Sequence, residues 1–524
     1  MRSIISIITR MRSKLALFLA FVLLLAGTAF PAGAEYMTDT GVHIGIISVA
    51  TTRVNPLTPV EREFMSLTDL MYEGLMYLDD AYQPQNCLAE RYAVSSNGKS
   101  WYFYLRSGVT FHDGTPLTAY DVVATVEEIL RLAADGQGRY ASLKYFVKSI
   151  KASDNQTVVI ETNRANYGFL YAMTFPILKA GEVQADNPVG TGPYYLDMLE
   201  PTVYMLLSAN TNWWQNLPYY RQILVNFFST NRELISAYEY SNVDAVLTRA
   251  ITAAQYRSGV NSYNIDFRTT QLETLLMNNN ARELSDVRVR RAIRYLLDLD
   301  DIVHNVYYGM VTRTDTPLIP GTWTYWNSDN EQEYNKQKAM ELLDEAGWST
   351  FNGDGVRTKV IDDKVANLHL RFYVYEEQDN SVRVEVANRI ADLLLEAGIE
   401  CKVETLTYKT VAERLKAGSF DLCLAAFNID NTPDPGYLLI SGNSCNYMRY
   451  KSSDMDKLFN TLRAAQDFAA YSQTLQQIQE LFWEDCPLVC LYYRNGAILT
   501  REMFTDARDV REPQVLRGIE KFKK

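Results

Sequence analysis

Residues 271–493 alternate two hydrophobic rhythms. Short apolar runs of strand length, LETLLMNN, LHLRFYVY, IECKVETL and FDLCLAAF, are separated by longer stretches whose apolar positions recur every three or four residues. The stretch that begins near Ser285 puts Val289, Ala292, Ile293, Leu296 and Leu297 on one face and is predicted to be a helix. NKQKAMELLDEAGW offers Asn335 as its cap and Gly347 as its stop, and VRVEVANRIADLLLEAG ends at Gly398. TVAERLKAG reads as a helix opened by a Thr410 and Glu413 capping box and closed at Gly418. Strand, helix and strand in that order predict an α/β fold with a mostly parallel sheet covered by helices. Ligands of such sheets sit beyond the carboxyl ends of the strands, which directs attention to the loop after FDLCLAAF. Helical patterns over about 455–462 and 468–483 and the apolar strand LVCLYY close the region.

Upstream, RYAVSSNGKSWYFYLRSGVTF reads as a hairpin turned at Asn97-Gly98. The next stretch, VTFHDGTPLTAYDVV, contains one of only four histidines, beside an aspartate. It is predicted to be architecture: Asp113-Gly114 is a turn, Thr118 and Asp121 form a capping box, and Leu117 and Val122 form a hydrophobic staple. Val122, Val126, Ile129 and Ala133 continue the buried stripe. VGTGPYYLDML has two glycines but neither the spacing nor the lysine of a phosphate loop, and Pro193 removes a donor there, so it reads as a crossing between domains.

The first 34 residues change the picture of where the chain acts. Arg2, Arg10, Arg12 and Lys14 precede the apolar run LALFLAFVLLLAGTAF, and Ala32-Gly33-Ala34 fits a cleavage site. The run is shorter than the roughly 20 residues of a spanning helix, so a cleaved leader is expected in preference to an anchor. The first cysteine is Cys87, so no lipid-bearing cysteine follows the leader. Net charge is −12, and −16 once the four leader cations are removed, which argues against a nucleic-acid partner. Six cysteines are too sparse for a disulfide framework, with a Cys445 pairing to Cys486 or Cys490 left open.

Candidate chemistry is thin. No Gly-x-Ser-x-Gly elbow, Cys-x-x-Cys pair or two-histidine zinc helix occurs, and His43, His112, His304 and His369 lie apart in the chain. Catalytic residues, metal sites and cofactors are therefore expected to be none. FNGDGVR lacks the downstream glutamate of a calcium loop and reads as a turn between strands. Aromatic residues make up 12% of the chain, which suits pockets for mixed ligands and ordinary cores alike. The most suggestive polar loop is FNIDNTPDPGYLL, where Asp430 and Asp434 follow a buried-looking strand beside Phe427 and Tyr437. A carboxylate there can pair with a ligand ammonium or simply satisfy its own turn.

Taken together, MYEGLMYLDD, LAERYAVSSNGKSWYFYLRSGVTFHDGTPLTAYDVV, GTGPYYL, SDVRVRRAIRYLLDLDDIV, KAMELLDEAGW and LEAGIECKVETL followed by FDLCLAAFNID resemble the family 5 extracellular solute-binding proteins of ABC importers. The resemblance implies a two-lobed periplasmic-binding-protein fold of the large peptide-binding type, with a subdomain inserted in the first lobe. It divides the chain into a leader (1–34), lobe one (35–78, 187–269 and 492–524), an inserted subdomain (79–186) and lobe two (270–491). It also implies a monomeric periplasmic receptor that closes on a peptide or peptide-like solute and hands it to a membrane permease. In peptide-binding members an aspartate after the matching strand holds the ligand's α-ammonium, which here is Asp430, with Phe427, Asn428 and Tyr437 as neighbours. Where many relatives have Gly-Trp, this chain has Ala426-Phe427. Where dipeptide receptors place an arginine after the LHLRFYVY strand, it has Glu376-Glu377-Gln378-Asp379, which is expected to repel a ligand carboxylate and favour longer or basic ligands. A nickel-chelate receptor of the same family, a secreted hydrolase, and a peptide sensor or folding helper are the alternatives.

Overall fold

The computed structural model describes residues 40–522 apart from 50–51, 59–60, 258–262, 327–332, 378–380, 504 and 506–507. The expected leader lies outside the described residues. Among them, no helix is long and apolar enough to cross a membrane.

One 11-stranded sheet runs through the molecule. At its centre the long strands Tyr263–Met277 and Leu488–Thr500 lie antiparallel, side by side. On one flank come Leu422–Asn428, His369–Tyr375 and Glu400–Leu406; on the other come Ala245–Thr248, Gly41–Ile47, Gln222–Phe228, Tyr204–Ala209 and Tyr194–Glu200, and the short strand Val311–Arg313 pairs with Leu488–Thr500 off this order. The expectation of a mostly parallel sheet is corrected: the sheet is mixed. Parallel pairing is confined to His369–Tyr375 with its two neighbours and to Gly41–Ile47 with its two. Helical crossovers enforce parallel pairing only between the strands they join, Val382–Leu395 and Tyr408–Ala417 being such crossovers. The central strands have no such crossover between them and meet their outer neighbours antiparallel.

The apolar runs are continuous because both faces of this sheet are covered. Adjacent residues point to opposite sides, so Leu275, Phe372 and Leu424 join one core with Ile293 and Ile390, while Leu276, Tyr373 and Cys423 join another with Phe459 and Leu475. A further large core gathers Ile44, Phe64, Phe103, Phe169, Leu207 and Ile498. It includes the four-stranded sheet of Ala89–Val94, Ser100–Leu105, Thr157–Thr162 and Val147–Ala152, whose first hairpin turns at Gly98 with φ +69°.

Helix caps follow the sequence closely, with two shifts. Asn335 Oδ1 accepts from Lys338 N at 2.9 Å, and Gly347, Gly398 and Gly418 all have positive φ just past helices. The helix Val287–Leu296 is capped by Asp286, whose side chain accepts from Arg288 N, one residue after Ser285. The helix Tyr408–Ala417 is capped by Thr407, which accepts from Thr410 N at 3.2 Å; the expected Thr410 cap is already inside the helix. Two threonines three positions apart both fit the cap pattern, and the earlier one wins. All six cysteines are free, so no Cys445 pairing forms.

The histidine stretch is architecture. In the helix Ala119–Ala134, the Thr118 N–H and hydroxyl both bond Asp121 Oδ2, at 2.8 and 2.7 Å. His112 Nδ1 accepts from Gly190 N at 3.2 Å, and its Nε2 lies 3.1 Å from the Gly192 carbonyl oxygen. That anchors the VGTGPYY segment, whose Gly190 and Gly192 press against the Met71 backbone so closely that an added Cβ would lie 2.0 and 2.6 Å from it. Burial holds the His112 imidazole down at about 4.

Candidate functional site

The strand Leu422–Asn428 lies between His369–Tyr375 and Tyr263–Met277 in the large sheet. Phe427 pairs in register with Leu272 and Asn428 with Gln271. The chain then turns: Ile429 N still bonds Thr270 O at 2.9 Å, and Thr432 N donates to Asp430 Oδ1 at 2.8 Å. Phe427, Tyr437 and Tyr447 form an aromatic wall, with ring centroids 6.4 Å apart in each pair with Phe427.

Asp430 and Tyr437 line one small cavity together with Tyr82, Leu318, Ile319 and Pro433. Its volume is ≈ 10 Å³, about the room of one water molecule. Asp430 remains exposed at the rim, yet the protein packed around its carboxylate withholds water and raises its pKa; Asp434 adds to the rise, while the Thr432 N–H and Ser142 hydroxyl oppose it. The hydroxyls of Tyr437 and Tyr493 are buried with no hydrogen-bond partner among the described residues. Burial and the nearby Asp430 hold the Tyr437 proton firmly. Asp430 and Tyr437 are thus brought together at the cavity, Phe427 packs near the Tyr437 ring without lining it, and Asn428, exposed at the strand end, does not line it either. Asp434 is spent on the fold: it accepts from Arg463 Nε at 2.6 Å and from Gly436 N at 2.9 Å.

Across the cavity a seam joins distant parts of the chain. Tyr82 Oη donates to Asn431 O at 3.2 Å, Trp323 Nε1 to Tyr82 O at 2.9 Å, and Asn431 Nδ2 to Thr174 Oγ1 at 3.1 Å. Tyr167 N donates to Ala465 O at 2.8 Å. Trp323 packs against Tyr171 and Phe468. Sequence reasoning did not single out these residues; the one available signal was the aromatic density of GTWTYW.

The expectation that the Glu376 to Asp379 loop repels a carboxylate is corrected for Glu377. Burial pushes its carboxyl up, but Arg494 and Arg383 outweigh that and leave it below the usual range. Arg383 Nη2 bonds both Glu377 and Glu273 at 2.8 Å, and Arg494 bonds Glu377 at 2.9 Å and lies 2.7 Å from Glu273. Two arginines therefore balance two glutamates in a buried cluster, and Arg383 is 1% exposed. Glu376 stays exposed, and Gln378 and Asp379 lie outside the described residues.

The histidines remain apart. His43 sits in a strand, His304 Nδ1 bonds its own helical turn at Asp300 O, and His369 pairs with Glu400 at 3.0 Å. Among the described residues, no three His, Cys, Asp or Glu groups stand close enough to hold a metal ion.

Comparison with known proteins bears on this geometry. The oligopeptide-binding protein AppA of Bacillus subtilis is 25% identical over 470 residues, covering 85% of this chain and 84% of that protein. The probable D,D-dipeptide-binding periplasmic protein DdpA of Escherichia coli is 24% identical over 504 residues, covering 90% and 92%. The crystal structure of B. subtilis AppA with a nonapeptide superposes with a TM-score of 0.68 at 24% identity, over 92% of this chain and 98% of that one. The fold is thus the two-lobed one of these receptors. The pattern of the bacterial extracellular solute-binding proteins, family 5 Middle, matches residues 83–449, and the chain belongs to that family.

Proposed function

We propose that this protein captures peptides or peptide-like solutes between its lobes and delivers them, as a monomeric exported receptor, to an ABC permease in the membrane. The observation that carries the reading is Asp430: a part-desolvated carboxylate with no cationic partner among the described residues, just past the carboxyl end of a strand and sharing a cavity with Tyr437, whose hydroxyl has no partner there either. An ammonium entering such a site replaces lost hydration with an ion pair, so the carboxylate selects for a free amine. Both named relatives, an oligopeptide- and a probable D,D-dipeptide-binding protein, support a peptide ligand. Pockets for ligands of this size span roughly 300–1,000 Å³, so the lobes must part to admit one and close again around it.

The lobe boundaries belong to the same proposal: the chain passes between lobes near residues 270 and 491. Supporting this, Phe267 and Ile498 pack into the large core while Leu275 and Leu491 pack into the core of Ile293 and Ile390, and the central ladder shifts register between Arg268 and Leu272.

The test is native purification followed by mass spectrometry of what co-purifies, then calorimetry with peptides of graded length. Mixed peptides are expected, and Asp430→Asn should weaken free-amine peptides by about 2–4 kcal/mol while leaving amine-acetylated ones unchanged. A bound metal complex, or consumption of added peptide, would overturn the reading.

A further inference from the structure

The segment FNGDGVR is indeed a turn between strands: Thr350–Phe351 and Arg357–Ile361 flank it antiparallel, with Phe351 opposite Arg357. The turn is built on Asn352. Its N–H donates to Val356 O at 2.9 Å and its carbonyl accepts from Gly355 N at 3.2 Å, while its side-chain Oδ1 accepts from Asp354 N at 3.0 Å and Val356 N at 2.9 Å. One N–H in this net is left over: Gly353 is exposed, and its nitrogen donates to nothing among the described residues.

That leftover N–H matters because asparagine is thermolabile and glycine, having no side chain, lets its own nitrogen approach the preceding Cγ. Attack requires the nitrogen to give up its proton and swing toward Cγ, and an N–H already bonded to a carbonyl resists both. The chain has six Asn–Gly or Asp–Gly pairs, and five are closed by the fold. Gly98 N donates to Ser95 O at 2.8 Å, Gly114 N to Phe111 O at 2.8 Å, Gly136 N to Ala133 O at 3.3 Å and Gly355 N to Asn352 O at 3.2 Å. Gly496 lies inside the strand Leu488–Thr500 opposite Phe267, pressed so closely that an added Cβ would be 2.1 Å from that ring.

Asn97 is the matched control for Asn352. It too sits in a hairpin turn with Oδ1 accepting from the N–H two residues on, Lys99 N at 3.0 Å. The two sites differ at the glycine: Gly98 is buried and bonded, whereas Gly353 is exposed and unbonded.

We propose that Asn352 is a site of spontaneous backbone modification in the folded protein, where it converts to aspartate and isoaspartate. Gly353 N loses its proton to hydroxide and bonds Asn352 Cγ; the Cγ–Nδ2 bond breaks and ammonia leaves, giving a cyclic imide. The Asp354 and Val356 N–H groups already on Oδ1 meet the negative charge that develops there. Water then opens the imide at either carbonyl, and each event adds one negative charge to the protein. Aspartate keeps the turn, because a carboxylate accepts the same two N–H groups. Isoaspartate carries its main chain through Cγ, so those bonds are lost and the Phe351–Arg357 pairing shifts. The hairpin so loosened is the one that Arg357 ties to the end of the helix Val382–Leu395, by its N–H to Gly398 O at 2.8 Å and its Nε to Ala397 O at 2.7 Å. The site is independent of the peptide-binding reading.

Incubation of the mature protein at mildly alkaline pH, followed by digestion, mass spectrometry and enzymatic methylation of isoaspartate, tests this. Conversion at Asn352 is expected to run at least about tenfold faster than at Asn97 in the native protein, and the two rates to converge to within about threefold in urea. Gly353→Ala adds a methyl that meets nothing within 4 Å at an ordinary φ, so the fold is kept. It should slow Asn352 about tenfold or more and leave Asn97 unchanged. Native conversion at Asn97 or Asn495 as fast as at Asn352, an Asn352 that is inert in the native protein, or a rate indifferent to Gly353→Ala would each overturn it.

Discussion

Asp430 and Asp434 sit four positions apart in one loop, and only one is committed to the fold. Asp434 is locked by Arg463 from 29 residues away; among the described residues Asp430 meets the N–H and hydroxyl of Thr432 and the Ser142 hydroxyl, and no cation. Local sequence offers no way to tell them apart, since both are turn aspartates and the arginine arrives through tertiary folding. His112 is the opposite case, because its turn, cap and staple are all within ten residues and were legible. Its depressed pKa carries a sign. Between about 4 and its ordinary value near 6.5, the unfolded chain binds a proton that the folded chain refuses, so stability should fall as pH drops through that window. His112→Ala should lower stability at neutral pH by about 1–2 kcal/mol and flatten this pH dependence. Denaturant melts between about pH 4 and 7 check it; equal slopes in the two proteins would refute it.

At the scale of elements, strands, helices and most stops followed from hydrophobic period, asparagine and threonine caps, and terminal glycines. Strand direction did not, because a period of two is the same whichever way a strand runs. The pairing of Tyr263–Met277 with Leu488–Thr500 joins segments more than 200 residues apart, and nothing local announces it. The capping box of Ala119–Ala134 shows what a local signal can gain from tertiary structure. Asp121 accepts from Thr118 N and, through its other oxygen, from Ala180 N at 2.9 Å. Asp121→Ala therefore removes a cap and a long-range tie together. It is expected to cost about 2 kcal/mol, at the top of the range for a cap alone, and Thr118→Ala less. Urea unfolding of both variants measures the difference.

Over the whole molecule, polar groups thread the region around Gln271, where we propose that the chain passes between lobes. Arg62 and Arg249 meet the buried Glu512, Arg62 also bonds Gln271, and Gln271 bonds Glu273 in the arginine–glutamate cluster. Such a chain is costly to desolvate unless every charge is matched, and it fixes the geometry of the crossing more than it adds stability. The sequence marked the two proposed crossings only as strands; the charges that surround them come from six separated segments. The aromatic seam lies across the small Asp430 cavity, and Trp323 sits at its middle, its indole N–H held by the Tyr82 carbonyl and its ring edge-on to Phe468 at 4.7 Å. In the opening proposed above, that indole exchanges its Tyr82 carbonyl partner for solvent. Trp323 is accordingly an intrinsic optical reporter: its emission should shift to the red in the open receptor, return to the blue on saturation with peptide, and show neither response in Trp323→Phe.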